Sequence, residues 1–114
     1  MTKQNWGMQE NEPVDLENQD QLEDIVEQEI DEPPMYKVLL YNDDYTTMEF
    51  VVRILENIFH KSTSEAIRIM LNVHHNGFGI CGYYTSEIAE TKVKSVHTCA
   101  KEAGFPLRAG MERI

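Results

Sequence analysis

The side chains of this chain that could do chemistry fall at Asn42-Asp43-Asp44, at His74-His75, and at Cys81 and Cys99. The first group concentrates an amide and two carboxylates just after an apolar run and just ahead of Met48. Short polar side chains satisfy local backbone groups and favour turns, so a tight turn that caps the next helix accounts for them equally well. As a site, a corner rich in acceptors beside an apolar Met suits a ligand that is both charged and greasy.

Metal and catalytic chemistry fit poorly. A metal site needs three or four ligands at fixed distance, and adjacent histidines point to different sides of a helix. Asp43-Asp44 beside Tyr45 lacks the every-second-residue oxygen spacing of a calcium loop. No nucleophile elbow, Gly-rich phosphate loop or HExxH motif is present. Cys81 and Cys99 have no CxxC spacing and read as small buried or half-buried thiols of a reducing compartment. The expectation is a protein without cofactor, metal or enzymatic activity.

The elements that must position these residues can be read from pattern and punctuation. Met35 to Tyr41 is rich in Val, Leu and Tyr and reads as a buried strand. Thr46 with Glu49 fits a capping box that opens a helix. That helix carries Met48, Val51, Val52, Leu55, Ile58 and Phe59 on one broad face, with Phe50 and Ile54 on its flank. His60 and Lys61 suit its last turn, where positive charge is favoured. Ser62 with Glu65 starts a second helix, on which Ala66, Met70, Val73 and His74 share a face, and Asn76-Gly77 stops it.

Phe78 to Tyr84 reads as a second strand whose glycines mark a close approach or a bulge. Thr85 caps a third helix with Ala89, Val93, Val96 and Ala100 on its inner stripe. Gly104 and Pro106 end it, and Leu107 to Ile114 supplies a last strand. The order βααβαβ predicts an α+β domain with a small antiparallel sheet covered by three helices. If the corner after the first strand packs over the second helix, Asn42, Asp43 and His74 line the mouth of a pocket. Leu40, Met48, Val51, Met70 and Val73 then line its floor.

Charge separates this domain from what precedes it. The 114 residues carry a formal net charge of −10. Residues 1–32 hold eleven acidic residues and one basic one, whereas 33–114 are balanced at nine of each. The balance argues against nucleic acid and anionic membranes, which reward Lys and Arg. Residues 1–32 therefore read as a flexible acidic extension, with Leu22, Ile25, Val26 and Ile30 at helical spacing and Trp6 as a lone apolar anchor. Pro33-Pro34 marks the boundary to a core domain spanning 33–114. Nothing resembles a signal peptide or a membrane span, which makes a cytoplasmic location the expectation.

The core also holds a series of fragments in a familiar order: Pro33-Pro34-Met35-Tyr36-Lys37-Val38-Leu39-Leu40, Asn42-Asp43-Asp44-Tyr45-Thr46, Met48-Glu49-Phe50-Val51, Met70-Leu71-Asn72-Val73-His74, Gly79-Ile80-Cys81-Gly82 and Glu87-Ile88-Ala89-Glu90-Thr91-Lys92-Val93. Together they closely resemble the ClpS adaptor family across residues 33 to about 107. Thr47 is a departure, since many relatives carry Pro there, and Thr starts a helix without harm.

The resemblance implies an adaptor that recognises proteins by a destabilising N-terminal residue (Leu, Phe, Tyr or Trp) and delivers them to a Clp-type AAA+ unfoldase. It implies that Asn42, Asp43 and His74 hold the free α-amine. Leu40, Met48, Val51, Met70, Val73 and Leu107 would hold the first side chain, with Asp44 and Thr46 on the rim. Glu87 and Lys92 would dock the N-terminal domain of the unfoldase, which engages the acidic extension. A small structural or ribosome-associated domain of the same βααβαβ order is the alternative, because fold alone does not give function.

Overall fold

The computed structural model describes residues 32–114, so the features read from Trp6 and from Leu22 to Ile30 lie outside the described residues. The elements are β1 (Met35–Tyr41), α1 (Met48–Asn57), α2 (Thr63–Asn76), β2 (Phe78–Thr85), α3 (Ser86–Ala103) and β3 (Arg108–Arg113). β1 is the central strand, paired antiparallel with β2 on one side and β3 on the other. The predicted βααβαβ order and antiparallel sheet are what the chain adopts.

Val38 and Leu40 point from β1 into a core shared with Leu55 of α1, Ile69 of α2 and Val96 of α3. Every second strand residue faces the other way. The bulge expected among the β2 glycines falls at Cys81, because Val38 pairs with Gly82 while Leu39 pairs with Ile80. Gly79 marks a close approach: a Cβ there would come within 2.8 Å of Val73 Cγ2 and 3.2 Å of the Ile69 carbonyl. α2 can press against β2 only over a bare backbone.

Helix ends depart from expectation in three places. The N-cap of α1 is Thr47, whose hydroxyl accepts from the Phe50 N–H at 3.1 Å. Thr46 belongs to the loop before it, where its N–H and its hydroxyl both donate to Asp43. α1 also ends at Asn57, before the expected basic last turn. His60 adopts a left-handed φ of 57° and Lys61 N–H reaches back to the Leu55 carbonyl at 3.0 Å, closing the helix with a reversal. Ser62 caps α2 through the Glu65 N–H as expected, and Gly77 and Gly104 end their helices in the left-handed region. Thr85 precedes α3 but makes no side-chain cap bond.

Cys81 is buried and Cys99 half-buried, both as free thiols. Burial pushes the Cys81 thiol up to about 12, which leaves it an inert packing group. Among the described residues no helix is long and apolar enough to cross a membrane.

Candidate functional site

Where β1 ends, the Asn42 N–H donates to the Gly77 carbonyl at 2.9 Å, tying the corner after β1 to the C-terminus of α2. That bond brings residues 35 positions apart into one place. The cavity between them is about 410 Å³ and is lined by Asn42, Asp43, Asp44, Tyr45, Thr46, Thr47, Met48, Val51, Met70, Val73 and His74. Polar groups surround its mouth: Asn42, Asp44 and His74 are exposed. Val51 and Val73 are 6% and 2% exposed and form an apolar floor continuous with the core. Met48, at the start of α1, lines the cavity and is 46% exposed.

Asp43 organises the loop. Its Oδ1 accepts from the Tyr45 and Thr46 N–H groups at 2.8 and 2.7 Å, and its Oδ2 accepts from the Thr46 hydroxyl at 2.7 Å. A carboxylate offers about four lone-pair positions, so three are spent and roughly one is left for a ligand. Asp44 makes no hydrogen bond to a described side chain and keeps its acceptors available. The two carboxylates thus divide the work among the described residues: one shapes the corner and the other stands exposed at its mouth.

Partial burial pushes the Asp43 carboxyl up, but the Thr46 hydroxyl, the Thr46 and Tyr45 N–H groups and the nearby Arg108 charge outweigh it, so it sits below the usual carboxylate range. A carboxylate lowered on folding stabilises the fold fully above its unfolded value of ~3.9, and that stabilisation is lost as pH falls through the folded value. Asp43→Asn has no such group to titrate. Its stability deficit relative to the unsubstituted chain should therefore narrow when urea unfolding is repeated from about pH 5 down to about pH 2.5. A deficit that stays constant across that range would show that the carboxylate's charge contributes nothing to the fold.

Of the residues singled out from sequence, Asn42, Asp43, Asp44, Thr46, Met48, Val51, Met70, Val73 and His74 converge on this cavity. Leu40 and Leu107 do not line it: they are 0% and 3% exposed and belong to the buried cluster behind the floor. Tyr45 and Thr47 line it without having been assigned to the site from sequence, and their place between Asp44 and Met48 is the signal for them. His75 lies outside the lining, as neighbours on a helix must diverge. Among the described residues no group of three His, Cys, Asp or Glu side chains converges as metal ligands would.

Glu87 and Lys92 sit together elsewhere, on a groove of about 470 Å³ between the end of α1 and the start of α3. Ile88, 49% exposed, lies between them. Lys92 is partly engaged by the fold itself. Its Nζ donates to the Ile58 carbonyl at 2.6 Å and stands 5.6 Å from the Tyr84 ring centre. A cation there caps the exposed carbonyls that end α1.

Comparison with known proteins agrees with this fold. A solved structure, Agrobacterium tumefaciens ClpS2 bound to L-phenylalaninamide, superposes with a TM-score of 0.70 at 41% identity, covering 72% of this chain and 99% of that one. The ATP-dependent Clp protease adapter protein ClpS of Desulfatibacillum aliphaticivorans is 59% identical over 85 residues, 75% of this chain and 82% of its own length. The protein of the same description from Desulforapulum autotrophicum is 63% identical over 81 residues, 71% of this chain and 78% of its own. The family model for the ATP-dependent Clp protease adaptor protein ClpS matches residues 31–110. This chain belongs to the ClpS family of Clp protease adaptors.

Proposed function

We propose that the chain selects proteins whose first residue is Leu, Phe, Tyr or Trp and hands them to a Clp-type AAA+ unfoldase. The observation that carries this reading is the single cavity that joins an acceptor-rich mouth to an apolar floor. A free protein N-terminus is an ammonium with three donors next to a side chain, and it needs both halves at once. The Asn42 amide oxygen, the Asp44 carboxylate, the remaining acceptor of Asp43 and the His74 imidazole receive the ammonium and first peptide unit. Val51, Met70, Val73 and Met48 receive the side chain, and the two Met thioethers repack around aliphatic and aromatic groups alike.

Magnitudes are consistent with such a ligand. A charge-assisted hydrogen bond contributes ~1.5–3 kcal/mol, and burying a Leu or Phe side chain adds ~1.5–3 kcal/mol. After the entropy lost on association, a micromolar complex of about −8 kcal/mol is reasonable. Met48 crowds a β-branched first residue at its second branch, which accounts for the absence of Ile and Val from the expected set. The groove bearing Glu87, Ile88 and Lys92 docks the unfoldase N-terminal domain, and residues 1–32 supply the segment the unfoldase engages.

Fluorescence anisotropy with otherwise identical peptides tests the selection. Peptides beginning with Phe, Leu, Tyr or Trp should bind at least about tenfold more tightly than those beginning with Gly or Glu, one buried side chain being worth that factor or more. Indifference to the first residue would overturn the reading.

A further inference from the structure

Arg108 opens β3 directly across from Tyr41, the last residue of β1 and the one before Asn42. Its guanidinium carbon stands 5.1 Å from the centre of the Tyr41 ring, a distance at which cation and ring attract. The ring has room to lie there because Gly110 carries no side chain: a Cβ would come 2.9 Å from Tyr41 Oη and 3.1 Å from its Cε2. Gly110, Tyr41 and Arg108 therefore form a stack at the end of the sheet, next to the acceptor corner. The preceding residue, Leu107, is buried and fixes the backbone on which Arg108 stands.

The stack holds a cation where the cavity has none of its own. No Lys or Arg lines the cavity, whereas Asp43 and Asp44 both do. Arg108 is exposed and makes no ion pair with a described residue, so its donors face solvent. Its charge is nonetheless felt at Asp43, which it helps to keep ionised. A peptide seated by its ammonium holds its second residue near the cavity mouth, where Asn42 follows Tyr41. With two carboxylates alone at the mouth, an acidic second side chain would be repelled.

We propose that Arg108, held on the Tyr41 ring, is a specificity-determining residue that faces the second residue of the substrate and favours an acidic one there. The inference rests on the adaptor reading above. The planar guanidinium suits this place better than an ammonium, because it stacks on the ring and still presents a fork to a carboxylate. The interaction is exposed and therefore modest, about three- to fivefold in affinity at low salt, and it fades as salt shortens the screening length.

Peptides beginning Phe-Ala, Phe-Glu and Phe-Lys, titrated at low salt against the full chain and against Arg108→Gln, test it. The substitution should weaken Phe-Glu about three- to fivefold relative to Phe-Ala and strengthen Phe-Lys, with both changes shrinking near ~0.5 M salt. Tyr41→Leu, which removes the ring and leaves the charge untethered, should shift the ratio in the same direction by less. An unchanged Phe-Glu to Phe-Ala ratio in Arg108→Gln overturns the role of Arg108. A chain that binds none of the three peptides overturns the adaptor reading instead.

Discussion

A peptide beginning with Phe should lose at least about 100-fold in affinity when its α-amine is acetylated, two charge-assisted bonds of ~1.5–3 kcal/mol each being worth that much or more. Acetylation removes the positive charge and leaves a single amide donor in place of three. The acceptors at the mouth do not change with it: Asn42, Asp44 and His74 remain exposed around the opening, and Asp43 keeps its loop bonds. The acetyl group also brings a carbonyl oxygen, an acceptor, against carboxylates and an amide oxygen. That contact is repulsive rather than merely absent. Methylating the amine separates charge from donor count, because a monomethyl ammonium keeps its charge and two of its donors. It should fall between the free and the acetylated peptide in an isothermal titration. Equal affinity for free and acetylated peptides would mean that the acceptors at the mouth serve only the turn.

That turn was the competing explanation for Asn42-Asp43-Asp44, and the structure divides the three residues between the two roles. Asp43 does what a turn residue does, with three bonds inside its own loop. Asn42 and Asp44 leave their side chains at the cavity mouth. Sequence pattern reached the topology because apolar runs and the stops at Gly77 and Gly104 are local signals. It misplaced the start of α1 because Thr46 and Thr47 are chemically alike, and only the Asp43 loop, which holds the Thr46 N–H and hydroxyl, leaves Thr47 at the cap position. The end of α1 was missed for a related reason. His60 has no glycine-like label, yet it takes the left-handed turn that closes the helix.

The site was legible as a set of residue types before it was legible as a place. Nothing local says that position 42 meets position 77, since the bond between them is a product of β1 and β2 pairing. The depth of each apolar residue was also hidden: Leu40, Val51 and Val73 all read as apolar, but only the last two reach the cavity wall. Arg108 was invisible altogether, because its partner Tyr41 lies 67 positions away, opposite it only through the register of β3 on β1.

That difference in depth makes Leu40→Ala the most damaging substitution expected for the fold, with little effect on the site. Leu40 is among the largest fully buried side chains and sits on the central strand, in a buried cluster to which α1, α2 and α3 all contribute. Truncating a buried Leu costs about 2–5 kcal/mol, because the cavity left behind refills only in part. For a domain of this size that corresponds to a fall in Tm of roughly 10–30 °C, a large share of the ~5–15 kcal/mol that holds such domains together. Peptide affinity measured at a temperature where the variant remains folded should change by less than about threefold, since the wall formed by Val51, Met70 and Val73 is still present. Val73→Ala, which removes part of that wall, should lower both Tm and affinity. Leu40→Val, with its smaller void, keeps the comparison available if the alanine variant does not fold. A Leu40 variant with an unchanged Tm and a strongly weakened peptide complex would move Leu40 from the core behind the floor into the cavity wall, as the family resemblance implies.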